Sequence, residues 1–395
     1  MIETRRVKIG DFFEVETGST PSTAVPDYWE GGNIKWITPL DLGKLNSPFI
    51  SRTSRNITRK GLDNSSATIV PAGSIIISTR APIGYLAVLT EPMAFNQGCK
   101  ALLPKNGNPF ESLYVYYQLQ TKVQEMKNLG SGSTFKEISK EKLESIRIQV
   151  PPLPIQKQIA AILEKADAAR EKRQQANQLT EQFLQSAFLE MFGDPVTNPK
   201  GWENVEAGKL FEIKLGKMLD EKRFTGKNPR PYLRNLNVQW DGFDLTDIKE
   251  MDFTPTEFER NELRCGDILV CEGGEVGRCA IWGEQIPDCG YQKALHRLRV
   301  INPIIEGRYF VNFMKLAATH GLLLRDTSQV TIAHFTAEKF REFKVLVPPL
   351  REQQKFAALV EKVDLLRAKQ RESEKELDNL FNSLMQRAFR GELIG

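Results

Sequence analysis

The chain of 395 residues has little of what several protein classes require. It has five cysteines, an odd number, and four of them lie between Cys265 and Cys289, which is not the layout of a secreted disulfide framework. No stretch approaches the roughly 18 apolar residues of a membrane span. The opening MIETRRVKIGDFFEVE has basic residues but lacks the apolar segment of a signal peptide. These absences predict a cytoplasmic protein with no membrane partner.

Motifs for metal binding and catalysis are equally scarce. The cysteines lack the paired C-x₂₋₄-C spacing that makes a zinc site convincing, so zinc is a minor alternative. The three histidines (His296, His320, His334) are not paired at metal spacing, and neither a phosphate loop nor an Asn/Asp-Pro-Pro-aromatic motif for a flipped adenine is present. EGGEVG at 272–277 resembles a phosphate loop but is interpreted as a turn after a strand. We therefore predict no metal, no cofactor and no catalytic residues.

Composition indicates a soluble protein with more than one domain. Hydrophobic residues make up 41% of the chain and charged residues 26%, which is ordinary for globular proteins. A length of 395 residues exceeds what one hydrophobic core usually serves.

An internal repeat is the most informative feature. VPPLPIQKQIAAILEKAD begins at Val150, and VPPLREQQKFAALVEKVD begins 197 positions later at Val347. The correspondence continues without a gap to Phe192 and Phe389. Upstream of each copy the similarity is weaker, as in VKIGDFFEVETG against VEAGKLFEIKLG and AGSIIIS against CGDILVC. The chain is therefore a duplication of a globular unit followed by a helix.

Each copy ends in a long predicted helix, about 154–192 and about 350–389. Val-Pro-Pro favours a helix start, and Gly193-Asp194-Pro195 favours a stop. Apolar residues recur every 3.5 positions and turn polar or small at the same central place in both copies, which indicates an antiparallel coiled coil, each helix being about 50 Å long. The residues expected to pair the helices are Ile159, Ile162, Ala166, Phe183, Phe356, Leu359, Val363, Leu366, Leu377 and Leu380. The alternative is that each helix packs only on its own domain.

The predicted fold class is α+β, with two pseudo-symmetric globular domains joined by two long antiparallel coiled-coil helices. The domains are 1–149 and 195–346, and the helical segments are 150–194 and 347–395. Strand-like runs at 68–78, 267–271 and 297–301 alternate with turns. Each domain then has an amphipathic helix, at about 111–129 or 307–324, and a short helix starting at Ser139 or Thr336.

Two globular heads held at a fixed separation suit a partner with two separated sites, and double-stranded DNA is the obvious candidate. The net charge is only +4, but basic residues cluster in RTSRNITRK (52–60) and in KMLDEKRFTGKNPRPYLR (217–234). The candidate DNA-binding residues, taken from these clusters and from nearby polar turns, are Thr20, Ser22, Arg52, Arg55, Arg59, Lys60, Arg80, Ser133, Lys217, Lys222, Arg223, Lys227, Arg230, Arg234, Arg278 and Gln329. A merely solvated face is the alternative for any one cluster. A two-headed protein–protein adaptor and a degenerate nuclease or methyltransferase are the alternatives for the whole chain.

These features resemble the specificity (S) subunits of type I restriction–modification systems. The resemblance rests on the two VPPL…Q…A helix heads, on TGSTPST…DYWEGGNIKWITPLDL (17–42) and on NQG at 96–98. Glu352-Gln353 fits the commoner helix head of the family, whereas Ile155-Gln156 departs from it.

The resemblance implies two target recognition domains that each read one part of a split DNA target, with the helices setting the spacer; we expect a spacer of about 5 to 8 base pairs. It further implies two methyltransferase (M) subunits that use S-adenosylmethionine to methylate adenine at N6, restriction (R) subunits that can join, and no chemistry in the S subunit itself.

Overall fold

The structure is a computed structural model that describes residues 4–105, 108–132, 136–218, 226–324 and 336–394. Its residues group into two compact units, one of Met1–Ala176 with Gln370–Gly395 and one of Asn177–Lys369. Each unit thus contains a globular body, part of the first long helix and part of the second. The predicted boundary of each recognition domain remains a proposal.

The first unit is built from short strands and helices that precede the first long helix. Its strands are β1 (Arg5–Lys8), β2 (Phe13–Thr17), β3 (Ile34–Ile37), β4 (Phe49–Ile50), β5 (Arg55–Ile57), β6 (Ile69–Val70), β7 (Ile75–Ser78), β8 (Leu86–Leu89), β9 (Met93–Phe95), β10 (Cys99–Pro104) and β11 (Arg147–Val150). Its helices are α1 (Ile9–Phe12), α2 (Pro39–Gly43), α3 (Arg59–Asp63), α4 (Ser112–Gln120), α5 (Val123–Leu129), α6 (Lys140–Ser145) and the start of α7 (Leu153–Phe192).

The second unit repeats this plan. Its strands are β12 (Glu203–Glu206), β13 (Phe211–Leu215), β14 (Pro229–Leu233), β15 (Val238–Gln239), β16 (Gly242–Phe243), β17 (Lys249–Asp252), β18 (Ile268–Cys271), β19 (Cys279–Ile281), β20 (Gly290–Tyr291), β21 (Leu295–Val300) and β22 (Lys344–Val347). Its helices are α8 (Ala207–Leu210), α9 (Pro255–Asn261), α10 (Gly307–Thr319), α11 (Ala337–Glu342) and the start of α12 (Leu350–Arg390).

Matching sheets organise the two units. In the first unit the strand orders are β2-β10-β7-β8-β4 and β5-β3-β9-β6; in the second they are β13-β21-β18-β19 and β17-β14-β20, with a small β15-β16 ribbon. The central strands β7 and β18 are buried on both faces, which explains why each is a nearly continuous run of apolar residues. Alternate side chains face different cores: Ile75 and Ile77 pack with α4, whereas Ile76 packs with β3 and β9.

The predicted elements are found with some differences in their limits. The run 68–78 is two short strands, and the run 111–129 is two helices separated at Thr121. The Thr121 hydroxyl donates to the Gln118 carbonyl (2.7 Å), a local bond that competes with the helical ladder. Ser139 and Thr336 cap α6 and α11 by accepting from the backbone N–H three residues on. EGGEVG connects β18 to β19, so its interpretation as a turn after a strand is confirmed.

The two long helices pair within each unit, and their order shows that they run antiparallel. In the first unit the start of α7 lies beside the end of α12, where Arg170 Nε contacts Asp378 at 2.7 Å. In the second unit the end of α7 lies beside the start of α12, where Arg367 contacts Glu181 at 2.6 Å. The two ion pairs occupy equivalent positions of the repeat, 197 residues apart, so the helix pairing is itself duplicated. The predicted α+β class with long antiparallel helices is confirmed.

Four of the residues predicted to pair the two long helices are wrong, because they lie exposed. Ile162, Phe183, Leu366 and Leu380 are 37%, 51%, 47% and 51% exposed. Of the other predicted positions, Ile159, Phe356 and Val363 lie buried, and Ala166, Leu359 and Leu377 lie half-buried.

For Ile162, Phe183 and Leu380, the side chain that packs instead lies one position further along the helix. These buried residues are Leu163, Leu184 and Phe381, and Val360 and Met385 are buried as well. Val360 shares a core with Tyr309 and Val345 of the globular body, so the buried stripe serves the body as well as the partner helix. The heptad pattern of a two-helix coiled coil therefore does not describe this buried stripe completely.

Candidate nucleic-acid interface

A close-packed turn at 18–22 is the centre of the candidate interface in the first unit. A Cβ on Gly18 would lie 2.2 Å from the Asn96 carbonyl oxygen, so only glycine fits there. The backbone N–H of Ser19 donates to the Phe95 carbonyl (3.0 Å). Because β9 ends at Phe95, this contact places the turn against NQG at 96–98.

Polar side chains from both segments meet at this place. Thr20 hydrogen-bonds to Gln97, and Asn96 Oδ1 accepts from the Gly98 N–H at 2.6 Å. Arg80 lies beside Gly98, and its guanidinium is 4.0 Å from a carboxylate oxygen of Glu137. Two of the predicted residues, Thr20 and Arg80, are therefore close to the NQG motif.

Two tryptophans support the same turn through hydrogen bonds to its backbone carbonyls. Trp36 Nε1 donates to the Ser19 carbonyl and Trp29 Nε1 donates to the Ser22 carbonyl, both at 3.0 Å. Their rings are 5.0 Å apart, edge to face. Arg55 lies over Trp29, with its guanidinium carbon 3.8 Å from the ring centroid. The turn, the two indoles and Arg55 thus form one assembly at the edge of the β5-β3-β9-β6 sheet.

Asp41 fixes the segment that leads into β5. It is 7% exposed, accepts from the Ser54 N–H at 2.8 Å, and forms a reciprocal capping box with Thr38. Burial acts to raise the pKa of Asp41, but the hydrogen bonds from Thr38 and Ser54 outweigh it and leave the pKa below its ordinary value. Asp41 was not among the predicted residues, and its only signal in the sequence is the Thr-Pro-Leu-Asp cap pattern.

The other basic residues of the first cluster differ in their partners. Lys60 pairs with Asp27 at 2.7 Å, and the hydrogen bond from Lys60 lowers the pKa of Asp27. Arg59 pairs with Asp63 one helical turn away (3.0 Å). Exposed pairs of this kind contribute little and can exchange for phosphate. Arg52 is exposed and makes no ion pair with the residues described.

The second unit has the same turn with different side chains. A Cβ on Gly216 would lie 2.3 Å from the Tyr291 carbonyl oxygen, and the Lys217 N–H donates to that carbonyl at 3.0 Å. The Lys217 ammonium then turns back to Glu257 (2.7 Å) and lies 5.2 Å from the Phe253 ring centroid. Lys227 is exposed.

Three predicted arginines of the second unit are held by acidic partners. Arg230 contacts Asp288 at 2.7 Å and Arg234 contacts Asp247 at 2.8 Å, while Arg278 contacts Glu275 at 3.2 Å. The side chains of Arg234 and Arg278 are only 18% and 17% exposed.

Arg234 and Arg278 are therefore not free cations at the surface, and their role in DNA binding stays a prediction. Both are turned inward, and Arg278 also donates to the Asn235 carbonyl at 3.1 Å. The number of basic residues in a segment does not show which carboxylates and carbonyl oxygens the fold places against their side chains. Four further predicted residues, Ser133, Lys222, Arg223 and Gln329, lie outside the described residues.

Two repeated glutamines were recognised in the sequence but given no role. Gln156 Oε1 accepts from the Glu111 N–H (2.9 Å), and its Nε2 donates to the Pro151 carbonyl (2.9 Å). Gln353 does the same with the Glu306 N–H (2.9 Å) and the Pro348 carbonyl (2.7 Å). Each glutamine therefore joins the head of a long helix to the N-terminal end of α4 or α10.

Neither a metal centre nor a membrane helix is seen in the described part of the chain. Among those residues no group of three or more His, Cys, Asp or Glu is placed to hold a metal ion. No helix in the same ranges combines the length and apolar character needed to cross a bilayer.

Comparison with known proteins defines the class. The family model of the type I restriction modification DNA specificity domain matches the chain twice, over residues 1–181 and 199–378. Since the two matches cover most of the sequence, the chain belongs to this family, and the resemblance drawn from its motifs is confirmed.

Individual relatives are similar over part of their length. The MjaIX specificity subunit of Methanocaldococcus jannaschii is 35% identical over 243 residues, covering 58% of this chain and 56% of that protein. The EcoR124I/EcoR124II specificity subunit of Escherichia coli is 29% identical over 165 residues, covering 40% of each. The chain thus spans about half the length of the curated relatives it matches.

Two solved structures share the fold. The type I S subunit from M. genitalium superposes with a TM-score of 0.60 at 15% identity, covering 98% of this chain and 96% of that one. A chain from a study of complex assembly and conformational transition in the type I R-M system gives 0.58 at 18% identity, covering both chains completely.

Proposed function

We propose that this chain is the non-catalytic DNA specificity subunit of a type I restriction–modification complex. Residues 1–149 and 195–346 are its two target recognition domains, and each reads one part of a split DNA sequence. The helical segments 150–194 and 347–395 set the number of base pairs between the two parts. The partners are double-stranded DNA, two methyltransferase subunits and, where present, restriction subunits.

One observation carries this proposal. Both units have a glycine turn pressed against the end of a strand, at Gly18 and Gly216, but surround it with different side chains. The first unit has Trp29, Trp36 and Arg55 at this place, whereas the second has Lys217 with Phe253. A shared backbone with different surface chemistry suits two half-sites of different sequence.

The chain's own residues support recognition rather than chemistry. The described polar groups at the two turns include amides, hydroxyls and basic side chains, which donate to phosphates and to base edges, and the carboxylates of Glu137 and Glu257 lie beside the basic ones. Methylation of adenine at N6 and cleavage of DNA belong to the partner subunits in this proposal.

The test is to express the chain with the methyltransferase genes beside its own gene and to map N6-methyladenine across the host genome. We expect a split motif that is methylated only when this chain is present. DNA affinity of the purified complex should also fall steeply with salt, because phosphate contacts release counterions. Absence of methylation together with salt-insensitive or undetectable DNA binding would contradict the proposal and favour the protein–protein adaptor.

A matched control addresses the helices. One heptad inserted into α7 alone should disrupt the pairing shown by Arg170–Asp378 and Arg367–Glu181. Equal insertions in α7 and α12 should lengthen the spacer and leave both half-sites unchanged. An unchanged spacer after the paired insertion would remove the helices as the element that sets it.

A further inference from the structure

We propose that Arg55 reads a guanine in the half-site bound by the first recognition domain. This inference rests on the function proposed above and assigns one base type to one side chain. Arg55 begins β5, the edge strand of its sheet, and its side chain is exposed.

The guanidinium is oriented by the aromatic surface beneath it. Its carbon lies 3.8 Å from the Trp29 ring centroid and 6.0 Å from that of Trp36. Both indoles are held in place by their hydrogen bonds to the 19–22 turn. Stacking occupies one face of the guanidinium and leaves the N–H groups at its edge available, and this planar fork matches O6 and N7 of guanine. Holding the side chain in this way reduces the entropy lost on binding.

The backbone beneath Arg55 is fixed as well. The Thr53 hydroxyl donates to the Arg55 carbonyl at 2.9 Å, and Asn56 Nδ2 donates to the Gly32 carbonyl at 3.2 Å. Asp41 holds the Ser54 N–H. The residues on both sides of Arg55 are therefore tied to the body of the unit.

Neighbouring basic residues lack this combination of features. Arg59 and Lys60 are paired with carboxylates, and Lys35 is paired with Glu91. Among the described residues no carboxylate pairs with Arg55. Arg52 is equally unpaired within the described ranges, where no aromatic ring lies over its guanidinium, which suits a phosphate contact rather than a base contact.

The second unit does not repeat the arrangement, because its Arg230 lies 5.0 Å from the Phe258 ring centroid but is paired with Asp288. Arg55 lies opposite Trp36 in the β3–β5 ladder, and the corresponding pair in the β14–β17 ladder is Tyr232 with Lys249. Lys249 is 3.4 Å from Asp247 and has no planar fork. This guanine contact is therefore specific to the first domain.

The experiment compares complexes of the methyltransferase subunits with wild-type chain, Arg55→Ala, Arg55→Lys and the control Arg147→Ala, an exposed arginine of β11 that is not among the candidate DNA-binding residues. The half-site of the first domain is assigned beforehand by replacing residues 195–346 with the matching segment of another family member, which changes only the other half. Methylated motifs and DNA affinities are then measured for each complex.

We expect both Arg55 variants to accept other bases at one guanine of the first half-site, with a loss of discrimination of about 10- to 100-fold there. The second half-site should stay unchanged, and so should the motif methylated by the Arg147→Ala complex. A first half-site without guanine, an unaltered motif in both Arg55 variants, or an equal loss on all sequences would overturn the inference. The wild-type complex showing no split motif would instead contradict the proposed function.

A modified base gives a readout that does not depend on folding of a variant. Replacing each guanine of the first half-site by 7-deazaguanine removes the N7 acceptor while the protein stays wild type. At the guanine read by Arg55, this replacement should weaken DNA binding by the wild-type complex. It should not weaken binding by the Arg55→Ala complex any further, because both changes remove the same contact. Additive losses at every position would overturn the assignment.

Discussion

Replacement of Gln353 by methionine tests how the second long helix is attached to its domain. Gln353 is fully buried, and it accepts from the Glu306 N–H while donating to the carbonyls of Pro348 and Ile304. Methionine has nearly the same shape but makes none of these hydrogen bonds. Ile304 is exposed, so water can replace the bond to its carbonyl.

The expected cost follows from the two partners that stay covered. A buried polar group left without a partner costs about 1–3 kcal/mol, so loss of the bonds to Glu306 and Pro348 gives about 2–6 kcal/mol. Gln156→Met should cost a similar amount in the first unit, since Gln156 has the equivalent partners Glu111 and Pro151.

Hydrogen exchange read by mass spectrometry is the suitable assay, because a chain with two units need not unfold in one step. Peptides covering 304–316 should lose protection by a factor of about 30 or more in Gln353→Met, while peptides covering 111–120 stay unchanged. The adjacent exposed Gln354→Met is the control and should leave exchange unaltered. If Gln353→Met and Gln354→Met exchange alike, the glutamine does not fasten the helix head.

Three further predictions concern the turn, the helix pair and an acid-sensitive carboxylate. Gly18→Ala places a Cβ against a backbone carbonyl, so methylation directed by the complex should fall sharply, whereas Gly31→Ala, where the added atom meets nothing, should retain activity despite some backbone strain. Arg170→Ala and Asp378→Ala, combined in a double-mutant cycle, should show a coupling energy of about 0.2–1 kcal/mol in the stability of the first unit, and a coupling of zero would remove this ion pair as a contributor. Asp41 has a folded-state pKa below its ordinary value of 3.8, so its contribution is present above that pH and is lost as pH falls through the folded pKa; Asp41→Asn should flatten the stability profile in that acid range.

The long helices were predictable because several local signals agree. Val-Pro-Pro, an uninterrupted apolar period and Gly193 placed α7 at 154–192, and it spans Leu153–Phe192. The residues that pair the two helices were less predictable. Exposed leucines such as Leu366 and Leu380 fit a heptad pattern as well as the buried residues do. The choice between them depends on packing against the globular body, which a period along one helix does not contain.

The candidate interface was predictable in its turns but not in its charges. Gly18, Gly216 and NQG were recognisable as motifs, and the structure brings the first and third of these together. Some partners of the arginines are remote in sequence, as with Arg230 and Asp288, which are 58 positions apart. Formal charge on a loop therefore did not indicate which cations remain available to a ligand.

The two copies differ in a way that separates assembly from recognition. Tyr114 and Tyr309 donate to the carbonyls of Gln149 and Leu346 at 3.0 and 2.9 Å, so the support of each domain on its helix head is the same. In the second sheet of each unit, which contains β3 or β14, Trp36 in one copy corresponds to Tyr232 in the other. An internal duplication needs identical supports if both halves are to meet the same kind of partner subunit. The same duplication needs different side chains at the two candidate interfaces if the halves are to bind different DNA sequences. Arg55, supported by the tryptophans, is the clearest such difference.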